Sequence, residues 1–167
     1  MSTALRLSAF TGLILSGAIF GFFYAWVCST MWGLDAIDPK VAIAAMQAMN
    51  ASVRNAVFAP AFFGTPVVLI LTAVLAFCAK CRDVCWLFAA AGVIYFVGGM
   101  LLTMLVNVPM NEALALLEIP IDPGAATRIW ENYSPRWQIW NQVRTFASGL
   151  SLCFAGYGVM RLGRAIG

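Results

Sequence analysis

The stretch VFAPAFFGTPVVLILTAVLAFCA, residues 57–79, decides the fold class because it contains no charged residue. A helix that crosses a membrane needs about 20 mostly apolar residues, and this stretch is long enough. Three further stretches are similarly apolar, at about residues 7–32, 84–106 and 140–160. The sequence therefore predicts four membrane-spanning helices.

The composition supports an integral membrane protein in one domain, residues 1–167. Hydrophobic residues make up 62% of the chain and charged residues 10%, which leaves too few charges to cover a soluble surface. The first stretch contains Tyr24 and Trp26 and lacks a clean small-residue cleavage site, so we interpret it as a retained span rather than a signal peptide. The net charge of +3 is small and scattered, which argues against a nucleic-acid partner.

The connections between the spans predict their arrangement. Residues 80–83 barely separate the second and third spans, which predicts a tight hairpin, whereas longer and more polar segments join the other spans. A capping side chain before a proline marks a helix start. Three such starts are predicted, at Asp38-Pro39, Asp122-Pro123 and Ser134-Pro135. We expect an all-α fold, a four-helix antiparallel bundle in the membrane with short amphipathic helices on the outer side.

The basic residues suggest an orientation. One set lies in very short segments that flank the spans: Arg6, Lys80, Arg82, Arg161 and Arg164. A second set of equal size is spread along the longer segments: Lys40, Arg54, Arg128, Arg136 and Arg144. Short flanking segments follow the positive-inside bias best. We therefore expect both termini in the cytoplasm, with the bacterial inner membrane as the location and the lipid bilayer as partner.

Polar side chains recur along the apolar stretches. A cation beside lipid is costly and is usually held inward by partners or by a polar cavity, and Arg144 lies in the fourth stretch. Rows of residues on one helix face predict polar surfaces: Tyr95, Gly99, Thr103, Asn107 and Asn111 in the third span; Trp137, Asn141, Arg144, Ser148 and Ser151 in the fourth; and Gln47 and Asn50 before the second. The rows predict a polar pocket at the outer mouth of the bundle. Alternatively, such side chains only bond helices together, at about 0.6 kcal/mol each.

Three motifs resemble a known family. They are Ala45-Met-Gln47-Ala-Met-Asn50, the Asn107-Val-Pro109-Met-Asn111 turn at the end of the third span, and Trp130 followed by Trp137-Gln-Ile-Trp140-Asn141-Gln-Val-Arg144. In this order and spacing they resemble the membrane family that includes the anthrone oxygenases. The resemblance covers nearly the whole chain. It implies four spans and, for characterised members, oxygenation of polyketide anthrones by dioxygen without a cofactor.

Such chemistry requires a pocket for a flat, lipophilic aromatic molecule and groups that stabilise its enolate. We expect Arg144 to stabilise the oxyanion, with Asn107, Asn111 and Asn141 as donors. The substrate-binding candidates are Gln47, Asn50, Tyr95, Trp130, Trp137 and Trp140, although tryptophans at this depth also form interfacial belts. The chain has no histidine, which excludes an imidazole base and histidine-ligated haem.

Glu112 has two interpretations: it is the catalytic base, or it only neutralises Arg144. We expect no metal at this site, since zinc, iron and copper favour clusters of His, Cys and carboxylate, whereas the predicted cluster consists mostly of amides.

Two other functions remain open. Cys78-Ala-Lys-Cys81, with Cys85 nearby, is a Cys-x-x-Cys motif that would suit a thiol oxidoreductase. A non-enzymatic membrane subunit, or a protein that binds a lipophilic ligand without reacting with it, would show the same polar rows.

Overall fold

The computed structural model describes residues 2–164, and within them every regular element is helical. Five helices follow one another: α1 Thr3–Asp35, α2 Pro39–Ser52, α3 Phe58–Cys78, α4 Arg82–Ala115 and α5 Pro123–Arg164. Among the described residues, α1, α3 and α4 are long and apolar enough to cross a membrane. The predicted all-α membrane class is confirmed.

Helix α5 differs from the prediction for the fourth span. It begins at Pro123, where Asp122 accepts hydrogen bonds from the backbone nitrogens of residues 124 and 125 at 3.3 and 2.9 Å, and it continues through Pro135 to Arg164. The predicted start at Ser134 is wrong, because the Ser134 hydroxyl donates to Asp35 on α1 instead of capping a new helix. α5 is not among the three helices apolar enough to span a membrane, so the fourth crossing stays a prediction.

The other predicted boundaries also have clear outcomes. The start at Asp38-Pro39 is confirmed, since Asp38 accepts from the backbone nitrogen of Lys40 at 2.8 Å. The hairpin between α3 and α4 is closed by Lys80, whose φ of 60° lies in the left-handed region. The predicted turn at Asn107-Val-Pro109 is wrong. α4 continues to Ala115 without a turn. Its last α-helical segment is Val108–Ala115, and Pro109 lies in the first turn of this segment, where a missing backbone donor is tolerated.

The long helices pack side by side and alternate in direction. α1 contacts α3 and α5, and α4 contacts the same two helices. At the hairpin end, named for the turn at residues 79–81, one apolar core joins the start of α1 to the end of α3, the start of α4 and the end of α5. At the opposite end, the α2 end, a second core joins α2 to the end of α1, the end of α4 and the first half of α5.

Wide π-helical turns interrupt α1 at Trp26–Thr30 and α4 at Tyr95–Leu101 and Thr103–Asn107. In an α-helix, four residues rotate about 40° beyond a full turn, so a row with a spacing of four would wind around the helix. A π-helical turn bonds residue i to i+5 and rotates less per residue. The π-helical turns of α4 therefore keep its polar row on one face, towards the interior of the bundle.

The two termini, residue 1 and residues 165–167, lie outside the described residues. The predicted cytoplasmic side for both of them stays a prediction. Near the hairpin end, Arg161 of α5 forms an ion pair with Asp83 of α4, and this hydrogen-bonded carboxylate raises the pKa of Arg161.

Candidate functional site

A cavity of about 1150 Å³ lies at the α2 end, between α1, α3, α4 and α5. The last turn of α2 and the loop of residues 53–57 form its remaining wall. Seven aromatic side chains line it: Phe22, Phe23, Trp26, Phe58, Phe62, Phe63 and Trp137. Its size and its ring-lined wall suit a flat molecule with several fused rings.

Arg144 of α5 lines this cavity and is only 5% exposed. Its guanidinium carbon lies 4.3 Å from the centre of the Phe23 ring and 5.0 Å from that of Trp137. Nε donates to Asn141 Oδ1 at 2.9 Å and Nη1 to Thr103 Oγ1 at 3.3 Å. Among the described residues no carboxylate pairs with it. The cation is thus balanced only by ring faces and neutral acceptors.

Asn141 supports Arg144 from one turn earlier on α5. Its amide oxygen accepts from Arg144, and its amide nitrogen donates to the backbone oxygen of Phe23 at 3.3 Å. Asn141 is 1% exposed and does not line the cavity. It connects α5 to α1 and holds the guanidinium in place rather than reaching a ligand.

Asn111 is the second polar group on the cavity wall and joins three elements. Its Oδ1 accepts from Tyr133 Oη at 2.7 Å and from Trp137 Nε1 at 2.9 Å. Its Nδ2 donates to Asn50 Oδ1 at 3.0 Å, which connects α4 to α2. A phenol is protonated at neutral pH, and burial raises the pKa of Tyr133 further, so this hydroxyl is a donor. Asn111 therefore fixes the Trp137 ring against which Arg144 lies.

Glu112 also lines the cavity, but it pairs with Arg54 at 3.1 Å, and not with Arg144. The two side chains are 56% and 59% exposed, so the pair is worth about 1 kcal/mol or less. The hypothesis that Glu112 neutralises Arg144 is wrong. Glu112 pairs with Arg54 instead, because the end of α4 lies at the rim of the cavity, next to the loop that carries Arg54.

The structure brings together part of the predicted site. The predicted residues that line the cavity are Asn50, Asn111, Glu112, Trp137 and Arg144. Gln47 does not line it, because its amide nitrogen donates to the backbone oxygens of Leu114 and Leu117 at 2.8 and 3.0 Å and caps the end of α4. Trp140 is 39% exposed on the outside of α5, as an interfacial tryptophan would be.

Three more predicted residues lie behind the cavity wall. Tyr95 is buried and donates to the backbone oxygen of Phe62 at 2.9 Å. Trp130 donates to Asp35 at 2.9 Å. Asn107 is fully buried, and neither its amide nitrogen nor its oxygen has a partner among the described residues. Buried polar groups of this kind usually bond to an internal water.

Asp35 is an important residue that the sequence-based prediction missed. Its carboxylate accepts from Trp130 Nε1 at 2.9 Å, Ser134 Oγ at 2.7 Å and Gln138 Nε2 at 2.9 Å. These donors recur at intervals of four on α5, a pattern that the sequence contains. The carboxylate ties the end of α1 to α5 beside the cavity. Phe23 had no such signal, since it is one of several phenylalanines in an apolar run.

Within residues 2–164, no group of three or more His, Cys, Asp or Glu side chains could hold a metal ion. Cys78 is the last residue of α3, at the hairpin end, while the first turns of α3 line the cavity. Cys78 and Cys81 are free thiols and do not line the cavity.

A family model described as anthrone oxygenase matches residues 54–154, which is more than half of the chain. The matched range contains α3, α4 and most of α5, and with them Asn111 and Arg144. The family predicted from the sequence motifs is confirmed. No curated protein and no solved structure gives a significant match.

Proposed function

Since the chain belongs to the anthrone oxygenase family, we propose that it oxidises a flat, lipophilic anthrone or hydroquinone-like substrate with dioxygen, without a cofactor. The reaction takes place in the cavity at the α2 end. The family match supports the reaction class, and the size and aromatic lining of the cavity support a planar substrate.

The observation that carries the proposal is the unpaired charge of Arg144. A buried cation without a carboxylate partner favours an anion in the adjacent space. An anthrone that loses a proton becomes an aromatic enolate, whose negative charge lies on its oxygen. Arg144 would stabilise this oxygen, while the rings of Phe23 and Trp137 flank the guanidinium.

The chemistry then follows from the enolate. It gives one electron to dioxygen, and the resulting radical and superoxide combine through a new carbon–oxygen bond to form a peroxide anion. This anion takes back the proton that the base removed, directly or through water, and becomes a hydroperoxide. Loss of water from the hydroperoxide produces the second ketone. Overall, one anthrone and one dioxygen form one anthraquinone and one water.

Glu112 is our candidate for the group that removes the first proton. It contributes the only carboxylate on the cavity wall among the described residues. Its exposure lets it pass the proton to water, and its ion pair with Arg54 holds it at the rim of the cavity.

The experiment is anthrone turnover by the protein in detergent or vesicles, measured as oxygen consumption and anthraquinone absorbance above protein-free autoxidation. Arg144→Gln removes the charge and should lower kcat/KM by about 100-fold or more. Arg136→Gln is the matched control, because Arg136 is exposed on the same helix and should keep full turnover.

Thermal unfolding of both variants checks that the loss is not one of folding. Equal turnover by Arg144→Gln and the unmodified protein would refute the proposed role of the cation. Binding of anthraquinone without any turnover by the unmodified protein would favour a non-enzymatic binder.

A further inference from the structure

Helices α3 and α4 diverge towards the α2 end. They are joined at the hairpin and remain in contact as far as the π-helical turn Tyr95–Leu101, where the Tyr95 hydroxyl donates to the backbone oxygen of Phe62 at 2.9 Å. Beyond this turn, the next π-helical turn of α4, Thr103–Asn107, packs mainly on α5. No hydrogen bond between described residues joins α3 to α4 past Tyr95. A gap therefore opens between the two helices beside the cavity.

The two sides of this gap are apolar and exposed. Phe63 of α3 is 50% exposed and Met104 of α4 is 43% exposed, and both also line the cavity. Both lie within helices apolar enough to cross a membrane. In a bilayer, exposed apolar side chains of such helices face lipid, so the gap connects the cavity to the hydrocarbon region.

The water-facing end of the gap is bridged by charges. Arg54, in the loop before α3, pairs with Glu112 near the end of α4 at 3.1 Å. The gap is thus bounded by the Tyr95 hydrogen bond at one end and by this ion pair at the other. An apolar molecule that enters between Phe63 and Met104 passes only apolar side chains. A molecule that enters the cavity from water has to pass the Arg54–Glu112 ion pair.

We propose that the substrate enters sideways from the bilayer between α3 and α4, with Phe63 and Met104 as the residues that select for it. The statement that the entering molecule is the one that is oxidised rests on the proposed function. The selected class is neutral, planar and soluble in lipid, because a charged molecule would have to enter the hydrocarbon region first. The substrate loses its proton only after it reaches Arg144.

The test blocks the gap reversibly and measures binding. All five cysteines are replaced by alanine, and Phe63→Cys is capped with a bulky aryl methanethiosulfonate that a reductant removes. The protein is reconstituted in vesicles, and a neutral hydroxyanthraquinone dissolved in the lipid is followed by its quenching of tryptophan fluorescence. Comparison with Trp26→Phe shows that part of the signal comes from the cavity, since Trp26 is one of the two tryptophans that line it.

Capping should slow association by about ten-fold or more, and reductant should restore the rate. The matched control is Val67→Cys, one turn further along α3, which is 65% exposed and does not line the cavity. Capping there should leave the rate unchanged. An unchanged rate after capping Phe63→Cys, or equal slowing in both variants, would overturn the lateral route.

The readout needs no turnover, so the two proposals fail separately. If capping blocks binding but the protein oxidises no anthrone, the lateral route stands and the proposed reaction falls. If the protein oxidises anthrones and capping changes nothing, the reaction stands and the lateral route is excluded.

Discussion

Replacing Asn111 with leucine should destabilise the protein and reduce turnover together. Leucine has nearly the same size but removes the acceptor for Tyr133 Oη and Trp137 Nε1, and the donor to Asn50. Tyr133 and Trp137 are 7% and 1% exposed, and an unsatisfied buried donor costs about 1–3 kcal/mol. Because water in the cavity can replace part of the loss, we expect the free energy of unfolding to fall by about 2–4 kcal/mol.

The assay is unfolding by increasing mole fraction of dodecyl sulfate in mixed micelles, followed by tryptophan fluorescence. Asn111→Asp retains both acceptor positions and should cost about 1 kcal/mol. Asn132→Leu, an exposed site on α5, should change stability by less than about 0.5 kcal/mol. If Asn111→Leu proves as stable as the unmodified protein, the three hydrogen bonds of Asn111, including the one from Trp137, add no stability, and the account of how Arg144 is positioned is wrong.

Three further outcomes are expected. Gly98→Ala should lower the free energy of unfolding by about 1–3 kcal/mol in detergent melts, because the new methyl group would lie 2.6 Å from a side chain of α5. Gly21→Ala is the control, since its methyl group would face open space. Equal melting temperatures of the two variants would contradict the close approach of α4 to α5. Glu112→Gln should cost less than about 1 kcal/mol of unfolding free energy, since its ion pair is exposed, and a larger loss in the micelle assay would argue against this. The double change Cys78→Ser with Cys81→Ser should leave anthrone turnover unchanged, because neither thiol lines the cavity, and abolished turnover would favour thiol chemistry.

The membrane class and the local helix caps could be predicted because they depend on neighbouring residues. Apolar length predicted α1, α3 and α4, the three described helices that are long and apolar enough to cross a membrane, and an aspartate before proline predicted the starts of α2 and α5. The same reasoning failed at Ser134, since its hydroxyl donates a hydrogen bond to Asp35, which is 99 residues away in the chain. A capping motif does not reveal a distant competitor for its side chain.

The candidate site was predictable in part for the same reason. The cost of placing Arg144 beside lipid predicted that it faces inward, and it lines the cavity. Its partners depend on how distant helices pack, so Phe23 and Thr103 could not be identified as contacts of Arg144. Of the two interpretations of Glu112, the one that paired it with Arg144 was wrong. Tyr95 shares a helix face with Asn111 but lies deeper, where its hydroxyl donates to Phe62. Asn107 lies between Thr103 and Asn111, which both line the cavity, yet it does not line the cavity itself.

The π-helical turns of α4 have a consequence for comparing relatives. Each wide turn is equivalent to one extra residue in a regular helix, and removing that residue would rotate everything beyond it by about 100°. Asn111 would then turn away from Trp137. A homologue with a single-residue gap between positions 95 and 107 should therefore lack the asparagine–tryptophan bond, and an alignment would identify it before any coordinates exist.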